Sequence, residues 1–115
     1  MEAVMDPAVR TVKDWLQDRT NQYIRIHKEE DGDTDQIRMK LLEIGYRPDR
    51  PSIDGYTGGP AFVLHGPGTI LANGKQAPLP GDSYVVPIDG LTVTETAEGG
   101  RIMTTDRARY SLTAE

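Results

Sequence analysis

The chain predicts a mainly β protein, a small antiparallel β-barrel preceded by one α-helix. Three observations carry that expectation. Residues Gly59 to Gly90 read as short apolar runs punctuated by tight turns. Further β-branched or alternating segments follow at regular spacing. A helical apolar period is clear only near the N-terminus.

Taken in order, Asp6-Pro7 opens the helix, Asp being a good N-cap and Pro suiting the first helical position, where its missing N–H costs nothing. Val9, Val12 and Leu16, with Trp15 beside them, form one apolar stripe, and Arg10, Lys13, Asp14 and Gln17 form the other face. Thr20-Asn21 ends it. The expected role is to cover an end or edge of a sheet, with an interface helix as the alternative. Tyr23 to His27 alternates, with Ile24 and Ile26 on one face and Tyr23, Arg25 and His27 on the other. The acidic turn Glu29 to Asp33 lacks the ligand spacing of a calcium loop. Residues 35–46 fit two patterns: Ile37, Leu41 and Ile44 suit a helix, and Ile37, Met39 and Leu41 alternate. The Asp31-Gly32 turn favours a hairpin, so strand is preferred. Gly45 to Gly59, rich in Gly and Pro, is expected to be a long loop.

In the central stretch, Phe62 to His65 is closed by Gly66-Pro67-Gly68. Thr69 to Ala72 then runs into Asn73-Gly74, a strong signal for a two-residue type I′ hairpin. Leu79-Pro80-Gly81-Asp82 is a further turn, and Tyr84 to Val86 stops at Pro87. Leu91 to Thr96, Arg101 to Thr105 and Ala108 to Leu112 are expected as the closing strands, with a turn at Ala97 to Gly100. The expected organisation is one domain, residues 1–20 a helix packed on a barrel of residues 21–115.

Composition narrows the function classes. A chain of 115 residues buries roughly two-thirds of its unfolded surface. It is 37% hydrophobic and 27% charged, which suits a globular protein. It has no cysteine, which excludes disulfides, thiolate chemistry, zinc–cysteine sites and iron–sulfur clusters. The net charge of −5 with scattered basic residues argues against nucleic acid as a partner. No apolar run reaches the ~20 residues of a membrane span, and no signal-peptide pattern is present, so a soluble cytoplasmic protein is expected.

Phe62-Val63-Leu64-His65-Gly66-Pro67-Gly68-Thr69, then Asn73-Gly74, then Leu79-Pro80-Gly81-Asp82 with four residues to Pro87 resemble the core of a cupin barrel. The likeness is best over residues 41–96, and Gly59 to Arg109 also resembles the C-terminal cupin of type I mannose-6-phosphate isomerases. It implies a double-stranded β-helix. Most cupins hold a metal through two histidines and a glutamate in the first motif and a histidine in the second. Those positions fall here on Ser52 to Gly55, Gly59, and Thr92 or Val93, none of them a ligand of the family. Asp54 alone is a carboxylate in that region, and the chain's two histidines, His27 and His65, are far apart in sequence. No metal and no cofactor are therefore expected.

Strand alternation puts His65 on one face with Ala61 and Val63. A histidine in a barrel interior suits general-base work, and one at a strand end commonly just bonds to backbone. His65 with Tyr84 or Tyr56 would make the acid–base pair that some metal-free sugar-nucleotide epimerases of the cupin type resemble, with Asp54 or Asp82 to hold the histidine. Asp82 is more simply a turn residue. Arg47, Arg50 and Arg101 suit bidentate contacts to an anion. The glycine-rich turns are not phosphate loops, since no helix starts after them, and no GxSxG elbow occurs. The expectation is a metal-free cupin-like domain that binds a small polar ligand or a protein without catalysis, with Arg47, Asp54, Tyr56, His65 and Tyr84 as candidate ligand contacts. A sugar-type epimerase or isomerase and a structural or assembly subunit are the alternatives. Open sheet edges favour a homodimer.

Overall fold

A computed structural model describes residues 7–47 and 60–115. Helix α1 (Pro7–Gln17) is followed by β1 (Gln22–Glu30), β2 (Asp33–Leu41), β3 (Glu43–Arg47), β4 (Ala61–His65), β5 (Gly68–Ala72) and β6 (Lys75–Pro78). A single 3-10 turn, Pro80–Asp82, leads to β7 (Ser83–Pro87), β8 (Thr92–Glu95), β9 (Arg101–Thr104) and β10 (Arg109–Ala114). The strands form an antiparallel seven-stranded sheet, β6-β5-β2-β1-β10-β9-β8, and a three-stranded sheet, β3-β4-β7.

Two hairpins follow directly from turn chemistry. Asp31 and Gly32 have φ of 50° and 85°, and Glu30 pairs with Asp33. Asn73 and Gly74 have φ of 53° and 76°, and Ala72 pairs with Lys75. Both are two-residue turns with positive φ at each centre, whose twist matches that of their strands.

The two sheets share one bent ribbon. Met39 pairs with Gly68, and Glu43 pairs with His65, so one strand advances by four residues where its partner covers three. The extra residue is a β-bulge at Leu42-Glu43, opposite His65, whose carbonyl accepts from the Leu42 N–H at 2.8 Å. It explains why Leu41 is buried and Leu42 is 46% exposed. It also brings Ile44 back to the inner face, where it packs on the core. Gly66-Pro67-Gly68 carries the partner strand around the same corner. A Cβ on Gly66 would sit 1.7 Å from the Lys40 carbonyl oxygen, and one on Gly68 would sit 2.3 Å from that of Arg38. Both positions require glycine because backbones meet there. The third strand turns with them: Gly66 N–H donates to the Asp82 carbonyl at 2.8 Å and Leu79 N–H to that of Gly68 at 3.0 Å.

Between the sheets lies one apolar core. Leu112, Ile26 and Ile37 form a continuous cross-strand row that reaches Ile70, and Ile24 faces Met39 beside it. Tyr110, Met103, Phe62, Leu64 and Val86 fill the rest, each 2% exposed or less. At ~25 cal/mol per Å² such burial is the main stabilising term of the domain.

The expected closed barrel does not form. The corner joins the sheets on one flank, but β8 and β3 on the other flank are edges with no ladder between them. Helix α1 packs against both. It buries Val9, Val12, Trp15 and Leu16, and Trp15 Nε1 donates to the Gly99 carbonyl at 2.8 Å. Side chains of a helix thus occupy the place where barrel closure would need paired backbone. The helix covers an edge, as expected, but ends at Gln17 rather than Thr20, its last carbonyls meeting the Arg19 and Thr20 N–H groups and the Thr20 hydroxyl. Residues 35–46 are strand, as preferred, apart from Leu42 at the bulge. Gly45 to Arg47, expected in a loop, belong to β3, because they pair with Val63 to Ala61. Residues 48–59, the remainder of that loop, lie outside the described residues. No helix among the described residues is long and apolar enough to cross a membrane.

Candidate functional site

Burying Ile24 and Ile26 of β1 sends Tyr23, Arg25 and His27 to the outer face of the seven-stranded sheet. Burying Ile37, Met39 and Leu41 of β2 does the same to Gln36, Arg38 and Lys40. Strand register then fixes which of these meet. Arg25 lies opposite Arg38, and His27 opposite Gln36. Thr113 and Ser111 of β10 flank the same two rows, with Thr69 and Leu71 of β5 on the far side. The face is hollowed into a groove of about 410 Å³, walled by these side chains and Gln76, with Leu71 supplying an apolar patch. That volume falls within the range of small-molecule sites.

Two like charges directly opposite on a sheet repel. Here one carboxylate reconciles them. Glu115 Oε2 accepts from Arg25 Nε at 2.9 Å and from Arg38 Nε at 2.6 Å, and Oε1 accepts from Arg38 Nη2 at 3.0 Å. Arg38 therefore grips Glu115 with two parallel bonds, the geometry for which a guanidinium is suited. Its guanidinium also lies 4.1 Å from the centroid of the Tyr23 ring. Glu115 is located by its own N–H, which donates to the Tyr23 carbonyl at 3.2 Å. The hydrogen bonds from Arg38 and then Arg25 hold the Glu115 carboxyl down at about 2. The same bond raises the pKa of Arg38 further. Both arginines are well exposed, with side chains 66% and 50% accessible. The cluster is thus solvent-facing and contributes little to stability.

The residues singled out from sequence scatter. His65 is exposed at the end of β4, opposite Glu43 and Ser83. Tyr84 is opposite Leu64, on the other face of the same sheet, packed against the core, and burial pushes its hydroxyl strongly upward. Neighbouring positions alternate in direction, so the pair His65 and Tyr84 is not assembled. Asp82, at φ 51°, is a corner residue whose carbonyl accepts from Gly66. Arg101 bonds to the Gly99 and Gly100 carbonyls and lies 3.6 Å from Glu95, bracing the β8–β9 turn. Arg47 is exposed at the end of β3, opposite Ala61. Thr92 and Val93 are in β8. Asp54, Tyr56, Arg50 and Gly59 lie outside the described residues. Among the described residues no three of His, Asp and Glu are grouped to hold a metal ion. Arg25, Arg38 and Glu115 were not singled out from sequence as a site.

The chain matches the family model described as YmzB-like protein over residues 5–115. It is 32% identical over 105 residues to "Uncharacterized protein YmzB" of Bacillus subtilis (strain 168), an alignment covering 85% of this chain and 87% of that one. No solved structure matches it.

Proposed function

The chain belongs to the YmzB-like family, and from that premise we propose that it is a non-catalytic binding domain for a small polar ligand, held in the groove on the outer face of the seven-stranded sheet. The supporting observation is the groove's composition. Two arginines converge at one end, His27 and the hydrogen-bonding side chains of Gln36, Gln76, Ser111 and Thr113 line the rest, and Leu71 offers one apolar contact. Such a lining suits recognition. The acid–base pair expected from the sequence is not assembled, since His65 and Tyr84 face opposite ways on the smaller sheet, away from the groove. Binding here involves no metal and no cofactor. The cupin likeness, which rests on the Gly66-Pro67-Gly68 and Leu79 to Asp82 turns, describes a corner under this reading and not an ion site.

The test is a ¹H–¹⁵N titration of the protein with a panel of small organic acids, alcohols and amides. Shifts confined to β1, β2, β5 and β10 at positions around Arg25, Gln36, Arg38 and Leu71 are expected. Shifts centred on β4 and β7 around His65 would move the site to the smaller sheet and refute the proposal.

A further inference from the structure

We propose that the ligand of this groove carries a carboxylate, and that the Glu115 side chain is its built-in stand-in, seated on Arg25 and Arg38 until an external carboxylate displaces it. This rests on the groove being the binding site and adds the ligand's chemistry and its competitor.

The argument starts from what the two arginines do without Glu115. They are fixed opposite each other by the β1–β2 register, itself set by the two-residue Asp31-Gly32 turn. The strands hold their Cα atoms opposite each other, so an anion between the two guanidinium groups relieves a repulsion that the register favours. Tyr23 stacks on Arg38 and orients its fork across the sheet. These are the elements of a preformed anion seat: fixed backbone, paired cations, a stacked guanidinium. The occupant is a carboxylate in a bidentate fit on Arg38, with Arg25 sharing one oxygen. The ligand class is inferred from the planar group that the two arginines already hold in this pose.

Glu115 follows β10, the strand that ends at Ala114, and its N–H donates to the Tyr23 carbonyl at 3.2 Å, so its side chain can turn off the seat with the β10 ladder intact. The β1–β2 register keeps the two arginines on opposite positions of the same face. Exchange of one carboxylate for another conserves charge at the seat and needs no movement of β1 or β2. Thr113, Ser111, Gln36 and Leu71 then meet whatever extends from the incoming group along the groove.

Glutarate, whose end matches a glutamate side chain, is the probe, with glutaramide and inorganic phosphate as comparisons, all followed by amide shifts of β1 and β2. Glu115→Gln and Glu115→Ala are expected to bind glutarate at least five-fold more tightly than wild type. Arg38→Gln and Arg25→Gln, each with a wild-type spectrum elsewhere, are expected to lose at least ten-fold. Glutaramide is expected not to bind, and phosphate to bind more weakly than glutarate. Equal affinity of wild type and both Glu115 variants would overturn the stand-in role while leaving the groove as a site. Phosphate binding more tightly than glutarate would overturn the carboxylate class. Glutarate shifts absent from every variant, with another compound still mapping to the groove, would also overturn it. A panel in which nothing maps there would remove the groove reading itself.

Discussion

Replacing Gly66 by Ala tests the claim that the corner is held by backbone contact. The new Cβ would stand 1.7 Å from the Lys40 carbonyl oxygen and 3.3 Å from the Leu42 nitrogen, both main-chain atoms that cannot rotate away. Separating them means opening the corner of β2–β3 against β4–β5. Overpacking of this kind typically costs about 1–3 kcal/mol. The positive φ of 153° adds a further strain of about 1–2 kcal/mol for a residue with a side chain. The lower entropy of the unfolded alanine chain returns about 0.4–1 kcal/mol. The net expectation is a loss of about 3 kcal/mol, a large share of the 5–15 kcal/mol typical of a domain. For a domain near this size the midpoint of thermal unfolding should fall by roughly 12–24 °C. Gly74→Ala supplies the comparison, because it has φ 76° but nothing within 4 Å of the added Cβ. It should lose only about 1 kcal/mol. Circular dichroism melts of both variants decide the matter. If their midpoints agree within about 2 °C, steric closure at the corner is not what fixes the bend.

Trp15→Phe removes the donor to the Gly99 carbonyl and weakens the stacking of Arg19, whose guanidinium lies 4.1 Å from the indole centroid. A loss of about 1–2 kcal/mol in urea titration is expected, and an unchanged midpoint would remove the latch. Ile37→Ala, at the centre of the cross-strand row and 1% exposed, should cost about 2–5 kcal/mol in the same assay. Glu115 is held ionised by its arginines, so its contribution is present above the ordinary carboxylate range and lost as pH falls toward about 2. Side-chain ¹³C titration should show that midpoint in wild type and a rise toward 4.5 in Arg38→Gln. No rise would mean the ion pair does not persist in solution. Burial pushes Tyr110 up to about 12 and Tyr84 higher still, so folding holds their protons where the unfolded chain has released them. Stability should therefore fall as pH rises past about 10, and Tyr84→Phe should soften that fall in denaturation curves taken at pH 9 and pH 11.

Much of the architecture was legible from local rules. Asp31-Gly32 and Asn73-Gly74 announce their hairpins because only a few residues tolerate positive φ. Ile24 and Ile26 against Ile37 and Met39 announce which faces are buried. Residues 35–46 fit both patterns for a physical reason. Ile37, Leu41 and Ile44 fall at helical spacing because a one-residue bulge interrupts a period of two, and a bulge has no composition of its own. Barrel closure was not legible, since whether β8 meets β3 or a helix intervenes is a matter of how the sheets lie in space. The arginine pair was within reach. A two-residue turn at Asp31-Gly32 fixes Arg25 opposite Arg38, and alternation puts both outward. What no local rule supplies is Glu115, 77 positions from Arg38 in the chain.

The flank closed by α1 has a consequence for how the chain tolerates change. Interlocking apolar side chains and the Trp15–Gly99 bond hold the helix by volume and position, and residues added beside it break no strand register. The ribbon at Leu41 to Ile44 does keep a count of residues. One residue inserted there would turn Ile44 and the strand after it inside out. Homologues should therefore differ in length beside the helix and differ only in residue identity along the bend.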